Sequence, residues 1–207
     1  MHIKTKLIAI ILTLSVLSPA VVSAKGRGNN SASTSQLQST QLTAEEENLL
    51  WMREEEKLAR DVYLTMYDLW GASIFNNIAK SEQSHMDALL KKIELYGLTD
   101  PVAPDSYGVG DFNNKEFQQL YITLTGIGQD SYRDALWVGA NIEDLDIHDL
   151  MEAIKETKET NNLALQTTYE SLLEGSKSHL RAFVSLLGEY TPEYIDPTLY
   201  KAIINAR

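Results

Sequence analysis

The chain has 207 residues, 43% of them hydrophobic and 23% charged, so it is long enough and apolar enough to build one domain with a buried core. Its 29 acidic and 18 basic side chains give a net charge of -11, which argues against the basic surface of a nucleic-acid-binding protein. Because the chain contains no cysteine, disulfides, thiol catalysis and thiolate-bound metals or clusters are excluded, and any metal must be held by carboxylates and imidazoles.

Residues 1–24 have the pattern of a secretory signal peptide. Two lysines precede an apolar run at 7–17, and small residues at 22–24 suit a cleavage site. The run is shorter than the roughly 20 residues of a membrane span, so cleavage is expected rather than anchoring. We therefore expect a periplasmic or extracellular protein whose mature form has no membrane span. It would begin with a flexible leader at 25–41, which is rich in Ser, Thr, Asn and Gln.

Helical periodicity dominates residues 42–190, and no stretch shows the sustained apolar and polar alternation of a β-strand. The first helix is predicted to begin at Thr43, because Glu46 follows at the spacing of a capping box. Glycines and prolines mark the other helix ends. We predict four long helices and a short one that is third in chain order, over residues 43–70, 73–97, 114–124, 130–158 and 161–187.

A long connection separates the two halves of this domain. Residues 98–113 are rich in Pro and Gly, and with the short helix they can run the length of a long helix. A helical hairpin, a crossover and a second hairpin form the connectivity of a four-helix bundle with one long crossover. The sequence therefore predicts an all-α fold over residues 42–190, with a C-terminal tail at 191–207 that packs on the bundle.

Polar side chains interrupt the apolar stripe of each long helix near its middle. In an antiparallel bundle these interruptions face one another at a similar height. The residues expected to converge are Glu56 from the first helix, Glu82 and His85 from the second, Glu143 from the third and His179 from the fourth. Carboxylates buried without a positive charge are costly, and no Lys or Arg lies on these stripes. A bound cation is the expected partner, and carboxylate with imidazole suits iron, manganese or zinc. The alternative is a hydrogen-bonded polar network that only fixes the helix register.

Four segments of the chain resemble a known family. They are R-E-E-E-K-L-A-R-D-V-Y (53–63), S-E-Q-S-H (81–85), V-G-A-N-I-E-D-L-D-I-H-D-L (138–150) and G-S-K-S-H-L-R-A-F (175–183). The order of Glu, E-x-x-H, Glu and His on successive helices resembles the ferritin-like di-iron carboxylate superfamily. More closely, the segments are similar to the ferritin-like domain-of-unknown-function family 2202, and the likeness covers about residues 42–190. The resemblance implies a ferritin-like bundle.

The resemblance also implies a role for each residue of the set. The implied roles are terminal ligands at Glu56 and Glu143, a bridging ligand at Glu82, and one histidine for each metal ion, His85 and His179. Ser176 stands where the superfamily has a second bridging glutamate, so Asp146 or Glu55 is a possible additional ligand. Tyr63, Tyr169 and Ser176 are implied to hydrogen-bond to the ligands.

Together with the signal-peptide pattern of residues 1–24, this resemblance implies an exported protein that binds iron, with two ions suspected, or manganese. It would react with dioxygen or peroxide, as a ferroxidase or a peroxide reductase. Two other functions stay open: a non-catalytic exported helical binding module with a structural polar core, and a metal buffer or store without turnover. Catalytic residues and oligomeric state are left open.

Overall fold

The structure, a computed structural model, describes residues 42–102 and 108–206. These ranges contain six helices and no strand, so the described chain is all-α as predicted. The helices are α1 Ala44–Trp70, α2 Ser73–Leu95, α3 Lys115–Gly128, α4 Tyr132–Thr160, α5 Leu163–Leu187 and α6 Pro197–Asn205. The predicted signal peptide and leader lie outside the described residues. None of the described helices is long and apolar enough to cross a membrane.

Local sequence signals mark the start of α1, whereas the end of α3 departs from them. At the start of α1 the Thr43 hydroxyl accepts a hydrogen bond from Glu46 N (3.2 Å), and the Glu46 carboxylate accepts one from Thr43 N (2.8 Å). The sequence predicts that α3 ends at Leu124, whereas the helix continues through Gly126 to Gly128. Because α3 packs against α1 and α4, tertiary contacts outweigh the low helix propensity of glycine.

The four long helices share one core. α1 packs along α2 and α4 packs along α5, and the two pairs meet through α1 with α4 and α2 with α5. At one end the core contains Leu49, Met52, Leu89, Ile93, Leu150, Ala153, Ile154, Leu165, Tyr169 and Leu172. At the other end it is aromatic, and the Phe183 ring lies 5.3 Å from Tyr63 and 5.8 Å from Phe75 between centroids. The polar residues near the helix middles lie between these two apolar layers.

α1 is buried on more than one face, because α3 and the connection before it cover the side that faces away from the other long helices. Arg53 and Lys57 lie outside the apolar stripes, yet both are buried. Arg53 pairs with Asp100 at 3.0 Å. Lys57 pairs with Asp61 and lies 4.0 Å from the centroid of the Phe112 ring. These contacts fasten the connection to α1.

The C-terminal segment is held by one fully buried carboxylate, that of Asp144 on α4. It accepts hydrogen bonds from the Tyr190 hydroxyl (2.9 Å) and from the backbone N–H groups of Glu193 (2.6 Å), Tyr194 (3.2 Å) and Ile195 (3.1 Å). α6 follows and packs against α5. The Asp144 carboxylate thus stabilises the segment through donors that the segment itself supplies.

Candidate metal centre

The five residues expected to converge lie together in the middle of the core. Each side chain comes from a long helix, and each residue is at most 9% exposed. They form two overlapping groups of possible metal ligands whose donor atoms lie within 4.8 Å of one another. These groups are Glu56, Glu82 and His85, and Glu82, Glu143 and His179. Glu82 belongs to both groups.

The shared glutamate faces one imidazole with each of its oxygens. Glu82 Oε2 lies 2.8 Å from His85 Nδ1, and Glu82 Oε1 lies 2.8 Å from His179 Nδ1. On the outer sides, Glu56 Oε2 lies 3.2 Å from His85 Nδ1 and Glu143 Oε2 lies 3.4 Å from His179 Nδ1. Each Nδ1 atom is thus near the shared glutamate and one outer glutamate.

Two residues that the sequence reasoning missed position the imidazoles. His179 Nε2 lies 2.9 Å from the Ser81 hydroxyl oxygen, and a proton on Nε2 leaves the Nδ1 lone pair free to bind a metal ion. Gly175 on α5 lies against the His85 ring, since a Cβ atom there would be only 2.6 Å from His85 Nε2. Both residues lie in the segments that carry the family resemblance, but sequence spacing alone does not indicate these contacts.

The three residues expected to support the ligands behave differently. The Tyr63 hydroxyl donates a hydrogen bond to Glu143 Oε1 at 2.6 Å, which fixes that carboxylate. The Ser176 hydroxyl donates to the Leu172 carbonyl at 3.0 Å and also neighbours Asp146. Tyr169 lies in the aliphatic end of the core, and its hydroxyl has no hydrogen-bond partner among the described residues. Among the described residues, Tyr169 therefore makes no side-chain hydrogen bond to a candidate ligand.

The two additional candidate ligands take different positions. Asp146 is buried one turn beyond Glu143 on α4, and the negative charges that act on it are those of Glu56, Glu143 and Glu82. Asp146 therefore borders the five residues. The carboxyl group of Glu55 is also buried, and its strongest charged neighbour is Asp149 on α4. Sequence reasoning missed Asp149, which has no place on an apolar stripe.

Burial and neighbouring charges shift the pKa values of the cluster's groups in different directions. Burial raises the pKa of Glu56 to about 8, although the charge of His85 acts to lower it. Burial, aided by the charge of Glu82, raises the pKa of Glu143 to about 6. Burial alone would lower the pKa of both histidines, but the neighbouring glutamates outweigh it and raise the pKa of His85 to about 12 and that of His179 to about 10. Burial also opposes ionisation of Glu82, yet the two imidazoles hold its pKa at about 2.

Several donor atoms of the cluster have no hydrogen-bond partner among the described residues. These buried atoms are Glu56 Oε1, Glu82 Oε1, Asp146 Oδ1 and His179 Nδ1. Glu82 Oε1 and His179 Nδ1 lie 2.8 Å apart, so one cation could contact both atoms. Carboxylate oxygen and imidazole nitrogen are donors that iron, manganese and zinc accept, so the residues could hold such a cation.

Comparison with known proteins defines the class of this chain. It belongs to the family described as "Uncharacterized protein domain (DUF2202)", which matches residues 45–207. It is 51% identical over 166 residues to the uncharacterized protein MJ0754 of Methanocaldococcus jannaschii, covering 78% of this chain and 87% of the relative. The crystal structure of the hypothetical protein MJ0754 from Methanococcus jannaschii DSM 2661 is similar, with a TM-score of 0.76 and 47% identity. That alignment covers 84% of this chain and 99% of the other.

Proposed function

We propose that the chain is an exported, ferritin-like metalloprotein that binds two iron or manganese ions and acts as a ferroxidase or a peroxide reductase. The observation that carries the proposal is the placement of the two Nδ1 atoms, each 2.8 Å from one oxygen of the shared Glu82 and near a different outer glutamate. Glu82 would bridge the two ions, and His85 and His179 would each bind one. Export rests on the signal-peptide pattern of residues 1–24.

The helix contacts support the four-helix bundle that this proposal includes. α1 and α2 form one antiparallel pair joined by a short turn, and α4 and α5 form another. The connection that contains α3 joins the two pairs, which is the place of a long crossover. All four long helices contribute a residue to the cluster, as in bundles whose metal ligands project inward from facing helices.

The surrounding residues would prepare the centre for its reaction. The two apolar layers exclude bulk water, which strengthens the electrostatic interactions of the ligands. Tyr63 fixes Glu143 and Ser81 fixes His179, so two ligands are held before a metal binds. Bound iron would supply electron transfer to dioxygen or peroxide. Because the chain has no cysteine-bound relay, the electrons would come from Fe(II) as substrate or from an external donor.

Elemental analysis tests the metal site. We expect the purified chain, stripped with a chelator and reloaded with Mn²⁺ or Fe²⁺, to hold about two equivalents, with most of this lost in Glu82→Gln because both ions share that residue. Glu94→Gln removes a charge from an exposed position of α2 and is the matched control. Less than one equivalent in the wild type, unchanged by Glu82→Gln, would refute the metal site.

Kinetics then separate the enzyme from its alternatives. We expect the Fe²⁺-loaded chain to accelerate oxygen or peroxide consumption, and His179→Ala to abolish the acceleration. A metal store would bind Fe²⁺ without acceleration. A helical module with a purely structural polar core would keep the same melting temperature after chelation, whereas loss of a bound metal lowers it.

A further inference from the structure

A cavity of about 660 Å³, the C-terminal cavity, lies where the start of α4 meets the segment after α5 and the start of α6. Its lining, within the described residues, includes none of the proposed metal ligands. The volume falls within the roughly 300–1,000 Å³ of small-molecule sites, so the cavity is large enough for a ligand. The lining side chains that determine its chemistry are Arg133, Trp137, Glu189, Tyr190, Glu193 and Tyr200.

Three separate segments bring these side chains together. Arg133 and Trp137 are four residues apart on α4 and therefore lie on the same face of that helix. α5 ends at Gly188, whose φ of +77° favours glycine and turns the chain out of the helix. The residues after this turn bring Glu189 and Tyr190 to the cavity, and α6 adds Tyr200.

Contacts within the fold hold the walls of this cavity in place. The Tyr190 hydroxyl donates a hydrogen bond to the buried carboxylate of Asp144 at 2.9 Å. The Tyr190 ring in turn lies 6.0 Å from the Tyr200 ring between centroids, at an angle of 55°. On the opposite wall, Arg133 Nη1 donates to the Leu187 carbonyl at 2.9 Å. The rings and the guanidinium are thus positioned before a ligand binds, which lowers the entropy cost of binding.

The charges and rings of the cavity favour a neutral ligand that carries hydroxyl groups. A cation would face the guanidinium of Arg133, and an anion would face the carboxylates of Glu189 and Glu193. Hydroxyl groups suit both kinds of wall, because they accept hydrogen bonds from a guanidinium and donate them to a carboxylate. The rings of Trp137 and Tyr200 add flat apolar surface. A sugar matches this combination, since its ring has an apolar C–H face as well as hydroxyl groups.

We infer that the C-terminal cavity is a binding site for a neutral saccharide. The rings of Trp137 and Tyr200 contact the C–H face of the sugar. Arg133 donates hydrogen bonds to the sugar's oxygen atoms, and Glu189 and Glu193 accept hydrogen bonds from its hydroxyl groups. The inference uses no residue of the proposed metal centre and does not depend on the proposed function.

Titration of the purified full chain with neutral disaccharides tests the inference. The probes are cellobiose, maltose and N,N′-diacetylchitobiose, and choline and inorganic phosphate are their cationic and anionic counterparts. We expect at least one disaccharide to bind in isothermal titration calorimetry with a Kd of about 1 mM or lower. Trp137→Ala and Tyr200→Ala should each weaken this binding by about tenfold or more, because aromatic rings contribute much of the energy of a binding surface. Tyr67→Ala removes a ring that is 36% exposed on α1, outside the cavity, and should bind as the wild type does.

The inference is overturned if none of the three disaccharides binds at about 10 mM, or if choline or phosphate binds more tightly than all of them. It is also overturned if Trp137→Ala and Tyr200→Ala keep the wild-type affinity, or if Tyr67→Ala weakens binding as much as they do. If either cavity variant fails to fold, two-dimensional NMR of the wild-type chain decides. The Trp137 indole N–H and the backbone amides of residues 188–193 should then shift on titration with the disaccharide, and shifts confined to other residues overturn the inference.

Discussion

Replacing Gly175 with alanine should displace the His85 ring from the proposed metal centre. The added Cβ atom would lie 2.6 Å from His85 Nε2 and 2.7 Å from Cε1, whereas ordinary contact begins at 3.4 Å. The ring must therefore move by about 0.8 Å, which is about four times the 0.2 Å tolerance of metal–ligand distances. We expect Mn²⁺ affinity to fall by about 10- to 100-fold, as when the groups that orient a ligand are lost.

The stability of this variant should change much less than its metal affinity. Alanine gains about 1 kcal/mol over glycine within a helix, and the overpacking costs about 1–3 kcal/mol, so the two effects partly cancel. Mn²⁺ calorimetry and urea unfolding of the metal-free chain measure the two quantities separately. Gly126→Ala is the matched control, because no atom lies within 4 Å of the added Cβ in α3. Wild-type affinity in a folded Gly175→Ala protein would refute His85 as a ligand in this position.

Three further predictions follow from contacts of buried groups. Tyr63→Phe removes the 2.6 Å bond to Glu143 and should weaken Mn²⁺ binding about tenfold in calorimetry, and unchanged affinity would count against a positioning role. Asp144→Ala leaves four donors unsatisfied and should destabilise the fold by at least about 3 kcal/mol in urea unfolding. A loss below about 1 kcal/mol would show that the C-terminal segment does not depend on this carboxylate. Although burial opposes it, neighbouring glutamates raise the pKa of His85 to about 12 and that of His179 to about 10, so their protonation stabilises the metal-free fold fully below pH 6.5. This stabilisation is lost as the pH rises through about 10 for His179 and about 12 for His85. The melting temperature of the chelated chain should therefore fall over this range, with a smaller fall in saturating Mn²⁺, and a flat profile would contradict the pairing.

The convergence of the cluster was predictable because helical periodicity determines which residues share a face. Glu56, Glu82 and His179 each replace an apolar residue in an otherwise apolar stripe, and such a stripe must face the core. Once four such stripes are packed together, the polar residues near their middles must face one another inside the core. The capping box at Thr43 was predictable for a similar reason, since both of its contacts are local in sequence.

What could not be predicted depends on chain segments that are distant in sequence. The burial of Arg53 and Lys57 requires the connection to lie across α1, and periodicity in α1 carries no information about that. The contact of Gly175 with His85 depends on how α5 is rotated against α2. Asp149 looks like an ordinary surface residue in sequence, and only the packing of α4 against α1 brings it beside Glu55.

The buried acids of this fold fall into two groups that differ in what neutralises them. Asp61 and Asp144 are satisfied by donors of the chain itself, so they contribute to stability whether or not a metal is present. Glu55 and the acids of the proposed centre instead lie beside other acids and the imidazoles, and burial raises the pKa of Glu55 and Glu56. A bound cation would replace the protons that these groups hold. The first group lies where α1 meets the connection and where α4 meets the C-terminal segment, and the second lies where all four long helices meet. Metal binding should therefore tighten the middle of the four helices while leaving the attachment of the connection and the C-terminal segment unchanged.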